Sequence, residues 1–194
     1  MRKIVLASSS PYRRELLARL RLPFVVDRPD VDEIALAGEP PAATALRLAQ
    51  AKAHAIGARH VDALVVGSDQ VAEVDGVPLG KPGGFDAALG QLQSMQGRLV
   101  VFHTALCLLD VAAGVTEADS VPTRVRFRRL PRKALEAYLR LDAPYDCAGA
   151  AKIESAGIAL VESVESTDPT ALVGLPLIRL TSMLARCGVD VLPR

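Results

Sequence analysis

The chain has 194 residues, half of them hydrophobic and 4% aromatic, which is long enough to bury a sizeable core of aliphatic side chains. Its 23 basic and 22 acidic residues leave a formal net charge of +1, and this balance excludes a global field that attracts nucleic acid or an anionic membrane. Three irregularly spaced cysteines argue against a disulfide framework or a zinc site, so we interpret Cys107, Cys147 and Cys187 as small core residues of a reduced, cytoplasmic protein. No apolar run approaches the roughly 20 residues of a membrane span, so we expect no membrane partner.

In the first half of the chain, apolar runs and helical periodicity predict strands that alternate with helices. Ser10 is placed to cap the first helix and Pro11 to be its first residue. In chain order the predicted elements are a strand at 4–7, a helix at 11–20, a strand at 24–26, an alanine-rich helix at 41–56 and a strand at 63–66.

In the second half, Asp75-Gly76 predicts a hairpin turn between the apolar runs 71–74 and 77–79. The other predicted elements are a helix at 85–95, strands at 99–109 and 121–130 joined through Gly114, a helix at 131–141, an apolar run at 158–161 and a helical region from Asp168 that carries 172–186. Strands, helices and hairpins in this order predict an α/β fold with a mixed sheet, in a single domain covering 1–194.

The segment from Ser8 to Arg14 is the first candidate for chemistry, because it lies where a predicted strand meets a predicted helix. Free backbone N–H groups and the positive end of a helix form an anion site, and Ser8, Ser10 and Arg13 are our candidates for binding phosphate. Arg13 and Arg14 oppose the helix macrodipole unless an anion neutralises them. The alternative is that both arginines are solvated or pair with nearby acids.

Asp69 is the candidate catalytic residue, because it follows the predicted strand 63–66 in the sequence Gly67-Ser68-Asp69-Gln70. Open α/β sheets commonly place functional groups at strand ends, and Gly67 would leave room for a ligand to approach. The alternative is that Asp69 only forms a turn or a cap.

Lys52 and Lys81 lie in separate segments, and their ammonium groups are suited to bind phosphate oxygens. Glu33 and Asp69 form a carboxylate pair that suits Mg²⁺ or Mn²⁺, since hard cations prefer oxygen ligands. For either lysine alone, a solvated surface position is an equal alternative. No glycine-rich Walker loop is present, which disfavours a P-loop nucleotidase.

Six ordered motifs together resemble the Maf family over essentially the whole chain. The resemblance implies a nucleoside triphosphate pyrophosphatase that uses a divalent metal, forms a homodimer and has an elongated, ITPase-like sheet with a cleft between two lobes. The sequence leaves open whether water attacks the α- or the β-phosphorus. The motifs are Ser8 to Arg14, Val31-Asp32-Glu33, Leu48-Ala49 with Lys52-Ala53, Gly67 to Gln70, Gly80-Lys81-Pro82 and Val173-Gly174-Leu175-Pro176.

Three positions resemble one branch of the family, which acts on 7-methyl-GTP. Ser68 and Gln70 stand where most relatives have alanine and threonine, a version associated with dTTP and UTP, and Glu154 stands where the other branch usually has glutamine. The resemblance implies that Gln70 and Glu154 bind substrate. Tyr12 replaces the tryptophan common in this branch and keeps an aromatic face.

The chemistry of guanine agrees with this assignment. A buried Glu154 would accept hydrogen bonds from N1–H and N2–H₂ and would be left unpaired by uracil or thymine. Methylation at N7 makes the base cationic, and Tyr12 would supply an aromatic face for that cation. The alternative is that Glu154 pairs with Lys152 or an arginine while Tyr12 packs in the core.

Two other functions compete with this hypothesis. One is a pyrophosphatase of the same family that acts on dTTP, UTP or CTP. The other is a non-enzymatic factor that regulates septum formation or binds nucleic acid. A protein that binds nucleic acid should carry a broad basic stripe on its surface. The densest basic run contains Arg124, Arg126 and Arg128, whose spacing predicts the exposed face of one strand, so we expect no nucleic-acid partner.

Overall fold

A computed structural model describes residues 2–192. Within them, seven strands form one sheet and five α-helices flank it. The strands are β1 Lys3–Ala7, β2 Phe24–Asp27, β3 Ala63–Val74, β4 Val77–Leu79, β5 Leu99–Asp110, β6 Val115–Phe127 and β7 Val161–Ser166. The α-helices are α1 Pro11–Ala18, α2 Pro41–Gly57, α3 Phe85–Met95, α4 Arg132–Asp142 and α5 Leu177–Arg186, and 3₁₀ turns cover Ala148–Ala150, Ala156–Leu160 and Ala171–Val173.

The sheet is mixed, as the interleaved pattern predicts. Its order is β2-β1-β3-β5-β6-β7, with the first three strands parallel and the later pairs antiparallel. β1 ends opposite Gly67, and β4 pairs with β3 only from Ala72 onward. In the described part of the chain, residues 68–71 of β3 therefore have a strand neighbour on one side only, where β5 lies.

Three predicted boundaries in the sheet and the last helix are wrong. The strand predicted to end at Val66 continues to Val74, because β5 pairs with it without interruption as far as Glu73. The strand predicted from Val121 begins at Val115, because the antiparallel ladder with β5 starts directly after the Gly114 turn. The predicted helical region from Asp168 is broken, since α5 begins only at Leu177.

The predicted run 158–161 also differs, since residues 156–160 form a 3₁₀ turn and β7 follows it. Other predictions are confirmed, including the helix at 85–95 and the turn at Asp75-Gly76. Residues 121–127 alternate between buried and exposed, so Arg124 and Arg126 lie on the exposed face of β6, as their spacing predicts. Arg128 is also exposed but follows the strand, which ends at Phe127 rather than at the predicted residue 130.

The core has one part on each face of the parallel strands and a third around the antiparallel strands. α1 and α5 pack on one face, against Leu6 and Val66. α2 packs on the other face, against Val5 and Val65. The third part joins α3 and α4 to the far ends of β3, β5 and β6, so the two ends of the sheet have separate apolar cores.

Gly67 lets α2 lie directly on β3. A Cβ at this position would be 2.2 Å from the backbone oxygen of Ala49 and 2.9 Å from the backbone nitrogen of Ala53. The small stripe of Ala45, Ala49 and Ala53 completes this close approach. Gly67 thus makes room for a helix, which corrects the interpretation that it makes room for a ligand.

The cysteine prediction is confirmed only for Cys107, which is fully buried and whose pKa is raised by burial to about 12. Cys187 is partly buried and packs against the core formed by α1 and α5, and Cys147 is partly exposed. None of the helices in residues 2–192 is long and apolar enough to cross a membrane.

Candidate active site

A cleft of about 840 Å³ lies where β1 ends and β3 continues. Chain segments that are distant in sequence meet there, because the loop after a parallel strand and the loops above the antiparallel half converge on one stretch of β3. Its walls are residues 8–13, Arg28 to Val31, Glu33, Lys52, Gln70, Lys81, Phe102, residues 146–148, Ala151, Glu154 and residues 172–174.

The serine loop after β1 has the capping geometry that its sequence predicts. Ser10 has extended backbone angles, and its Oγ accepts a hydrogen bond from the N–H of Arg13 at 3.4 Å. The Oγ of Ser8 accepts from the N–H of Ser10 at 3.1 Å. These bonds fix the serine loop and the start of α1 at the cleft wall, where the positive end of the helix favours an anion.

Arg13 lines the cleft, whereas Arg14 is exposed on the outer side of α1. The Nε of Arg13 donates to the backbone oxygen of Gly174 at 2.9 Å. Burial lowers the pKa of Arg13, and the nearby Asp69 and Glu33 oppose that effect. Arg13 is therefore a cation held in place beside the two predicted metal ligands, and the solvated alternative applies to Arg14 only.

Lys52 is the centre of the site's charge network. Its side chain is 6% exposed, and its Nζ lies 2.5 Å from Oδ1 of Asp69 and 2.7 Å from Oε1 of Glu33. Burial opposes ionisation of Glu33, but the hydrogen bond and charge of Lys52, with the charges of Lys81 and Arg13, lower its pKa overall. Asp69 lies beneath Lys52 rather than on the cleft wall, and it sits inside β3 rather than at a strand end.

Glu33 and Asp69 suit the predicted divalent metal. Both carboxylates reach one point, the ammonium of Lys52, so both can approach one cation. Residues 2–192 contain no group of three acidic, histidine or cysteine side chains that would enclose a metal alone. The donors therefore fit a hard cation completed by phosphate oxygens and water.

Tyr12 and Glu154, the residues predicted to bind the base, also line the cleft. Tyr12 is partly exposed rather than packed in the core, and its hydroxyl lies 3.5 Å from Asp146. The Nζ of Lys152 is 5.8 Å from the centroid of the Tyr12 ring. The cation over this ring in the structure is therefore Lys152.

Glu154 is exposed, so the expectation of a buried carboxylate is wrong. Glu154 lies in the short connection between the 3₁₀ turns Ala148–Ala150 and Ala156–Leu160, and its sequence neighbours give no signal of this exposure. Within residues 2–192, Glu154 has no hydrogen bond or ion pair. Lys152 does not pair with it but with Asp146, at 3.8 Å, and with the backbone oxygen of Asp142, at 3.2 Å.

Ser68 and Gln70 point to the face of β3 opposite Asp69, because successive side chains of a strand alternate between faces. The Oγ of Ser68 donates to the backbone oxygens of Ala105 and Gly174, at 2.7 and 3.0 Å. The Nε2 of Gln70 lies 2.8 Å from Oγ1 of Thr104 and within 3.1 Å of the backbone oxygens of residues 171 and 172. Gln70 still lines the cleft.

Several cleft residues escaped the sequence interpretation. Arg28 and Asp30 follow β2, the neighbour of β1 in the sheet, and this position at the carboxyl end of a parallel strand is a signal that was available. Asp146 and Phe102 carry no such signal, because only the packing of the antiparallel half brings them to the cleft.

The whole sequence agrees with this geometry. The Maf family profile, described as "Maf-like protein", matches residues 3–187. The chain belongs to the Maf family. A relative from Cupriavidus metallidurans is 60% identical over 185 residues, covering 95% of this Maf protein and 93% of the relative. Relatives from Paraburkholderia xenovorans and Bordetella pertussis are 60% and 58% identical, each with 98% of this chain and 94% of the relative covered.

All three relatives are named 7-methyl-GTP pyrophosphatase. Among solved structures, the Staphylococcus aureus Ham1 protein aligns with 64% of this Maf protein and 71% of its own chain, at 17% identity and a TM-score of 0.45. Membership of the Maf family rests on the sequence matches, which extend from the serine loop to the end of α5.

Proposed function

We propose that this Maf protein hydrolyses 7-methyl-GTP to 7-methyl-GMP and pyrophosphate. The observation that carries the proposal is one cleft lined by two chemically different sets of residues, which we assign to its two ends. Arg13, Lys52 and Lys81 act on Glu33 and form the cationic end in our proposal, and Tyr12 and Glu154 form the other end. A ligand that spans both needs a polyanionic part and a base, and the shared name of relatives that are 55–60% identical supports this substrate.

At the cationic end, the triphosphate lies across the serine loop and the two lysines in our proposal. Ser8 and Ser10 fix the serine loop and cap the start of α1, and the positive end of this helix attracts one phosphate group. Lys52 and Lys81 bind further phosphate oxygens as point charges. The side chain of Gln70 is already engaged by the chain, and we propose a different role for it below.

Asp69 is the general base of the proposed reaction. Lys52 covers it, with Nζ 2.5 Å from Oδ1. A triphosphate offers Lys52 other anionic oxygens, so substrate binding draws the ammonium towards the phosphates and uncovers Asp69. The carboxylate then takes a proton from the water that attacks phosphorus, and pyrophosphate leaves beside Lys81 and Arg13.

We propose Glu33 and Asp69 as the protein ligands of a divalent metal, Mg²⁺ or Mn²⁺. When bound, the metal supplies positive charge to the phosphate oxygens. Lys52 contacts both carboxylates, so its displacement towards the phosphates would leave Glu33 and Asp69 able to hold the metal.

At the other end, Glu154 accepts hydrogen bonds from guanine N1–H and N2–H₂ in our proposal. Its exposure means that the bound nucleotide itself must exclude water from this pair. Tyr12 stacks on the methylated base, and Asp146, 3.5 Å from the Tyr12 hydroxyl, adds negative charge near that cation. Lys152 must leave the ring for this stacking, because two cations over one ring repel each other.

The proposal extends to a cytoplasmic location, a single domain over residues 1–194 and a homodimer, all supported by the resemblance to the Maf family. Size-exclusion chromatography with light scattering tests the homodimer, and a monomer at micromolar concentration would contradict it.

The decisive experiment is a panel of canonical and methylated nucleoside triphosphates with Mg²⁺ or Mn²⁺, with monophosphate and pyrophosphate measured separately. We expect 7-methyl-GTP to have the highest kcat/KM. A preference for UTP, dTTP or CTP would select the pyrimidine alternative, and no hydrolysis of any nucleotide would reject the enzyme. Hydrolysis in H₂¹⁸O identifies the attacked phosphorus, since the label enters the monophosphate after attack at the α-position.

Tyr12→Ala tests the role of the aromatic face in the same assay. We expect a fall of about 2- to 5-fold in the kcat/KM ratio of 7-methyl-GTP to GTP, from a cation–π energy of about 0.5–1 kcal/mol at an exposed site. An unchanged ratio would remove Tyr12 from base recognition while leaving the pyrophosphatase activity itself in place.

A further inference from the structure

The loop from Asp168 to Pro176, here called the 168–176 loop, forms one wall of the cleft through Leu172, Val173 and Gly174. It is anchored at its start by Asp168, a carboxylate only 2% exposed. Oδ1 of Asp168 accepts from both the N–H and the hydroxyl of Thr170, and Oδ2 accepts from the N–H of Ile178 at 2.7 Å. This anchor joins the loop to α5.

Three side chains of the central sheet then bind the middle of this loop. Ser68 donates to Gly174, Thr104 donates to Ala171, and Gln70 donates to the backbone oxygens of residues 171 and 172. The backbone oxygen of Gly174 also accepts a hydrogen bond from the Nε of Arg13. A change in this loop therefore moves both the cleft wall and a phosphate-binding cation.

The number of hydrogen-bond donors on Ser68, Gln70 and Thr104 decides whether these side chains can also donate to a nucleotide. The amide of Gln70 has two hydrogens, and three acceptors from the protein already lie within 3.1 Å of its nitrogen. Ser68 and Thr104 are 0% exposed and are not part of the cleft wall. None of the three has a donor left for a nucleotide.

We infer that Ser68, Gln70 and Thr104 are positioning residues, which hold the 168–176 loop and Arg13 in place and thereby determine how tightly the cleft binds its nucleotide. This inference rests on the proposed function for its effect on catalysis. The placement of the loop is independent of any activity. Gln70 acts on the substrate through the loop, in place of the direct contact that its motif implies.

The test uses Thr104→Val and Gln70→Met, which keep side-chain size and remove the hydrogen bonds, alone and combined. We expect KM for 7-methyl-GTP to rise about 3- to 10-fold in each single variant, the range of a lost hydrogen bond, with a smaller change in kcat. The effects should combine to less than their product, because each residue supports the same loop. Ser94→Ala, which removes a serine bond to a backbone oxygen in α3, is the control and should leave both constants unchanged.

Direct binding by Gln70 predicts a different result. Gln70→Met would then raise KM while Thr104→Val, buried behind it, would leave KM unchanged, and the double variant would equal Gln70→Met. That pattern would overturn the inference. So would equal falls in kcat and stability with no change in KM, which indicate a role in folding only.

Hydrogen–deuterium exchange of the protein without nucleotide separates this inference from the proposed function. We expect the amides of residues 171–175 to exchange about 3- to 10-fold faster in Thr104→Val and Gln70→Met than in the wild type. If the wild type hydrolyses no nucleotide but exchange increases, the proposed function fails and the placement of the loop stands. Unchanged exchange in both variants would reject the inference even in an active enzyme.

Discussion

The two ends of the cleft differ in how fully the protein has arranged them before a nucleotide arrives. At the cationic end, Lys52 is buried between two carboxylates and Arg13 is bound to Gly174. At the other end, Glu154 is exposed and has no hydrogen bond or ion pair within residues 2–192, and the Nζ of Lys152 lies 5.8 Å from the centroid of the Tyr12 ring. The protein itself fixes the side chains proposed for chemistry, and we propose that the nucleotide completes the end that selects the base.

This comparison predicts that substitutions at the cationic end have the largest effects. Asp69→Asn keeps the shape of the side chain and removes the proposed base, so we expect kcat to fall by about 10²- to 10⁴-fold. Nucleotide binding, measured by calorimetry, should persist. Asp86→Asn, at an exposed site in the first turn of α3, is the matched control. Near-wild-type activity of Asp69→Asn would remove Asp69 from the mechanism.

Substitution of Lys81, which lines the cleft but is exposed, should have an intermediate effect on nucleotide binding. Lys81→Ala should weaken triphosphate binding about 10-fold, the lower range for a hydrogen bond to a charged group, and monophosphate binding less. Binding of the two ligands to Lys81→Ala and to Lys133→Ala, an exposed lysine on α4, provides the test. Equal losses for both ligands would place Lys81 away from the outer phosphates.

A smaller effect is expected at the open end. Glu154→Gln exchanges one acceptor oxygen for a donor, so the kcat/KM ratio of 7-methyl-GTP to UTP should fall. We expect about 5-fold, because the carboxylate is exposed and the penalty for an unpaired group is at its lower limit of about 1 kcal/mol. Glu162→Gln, on the exposed strand β7, is the control. A change below 2-fold would mean that Glu154 does not recognise the base.

The smallest expected effect concerns acid stability at the cationic end. Lys52 and its neighbours lower the pKa of Glu33 in the folded protein, so this carboxylate stabilises the fold above its unfolded pKa of about 4.3. That contribution is lost as the pH falls through the folded value. Since the Glu33 side chain is 54% exposed, the stabilisation should stay below about 1 kcal/mol.

Urea unfolding of the wild type and Glu33→Gln measures this contribution. The difference in free energy of unfolding should be present at pH 7 and shrink steadily below pH 4. A difference that grows as the pH falls would have the wrong sign and would contradict the lowered pKa of Glu33.

Much of the fold and the membership of the candidate site could be predicted from the sequence. The helix at 85–95, the Asp75-Gly76 turn and the cap at Ser10 follow from local rules, because short-range sterics and hydrogen bonds determine them. The ordered motifs, from Ser8 to Pro176, identified the Maf family, since they depend only on residue identity and order.

The tertiary structure alone decided how those residues are used. Asp69 lies inside a strand because β5 pairs past the point where the local apolar pattern ends, and it meets Lys52 because Gly67 admits α2. The exposure of Glu154 likewise depends on what packs above it. Burial and pairing depend on residues that are far apart in the chain. A sequence pattern therefore predicts which chemical groups belong to this site, but only the tertiary structure determines which groups contact each other.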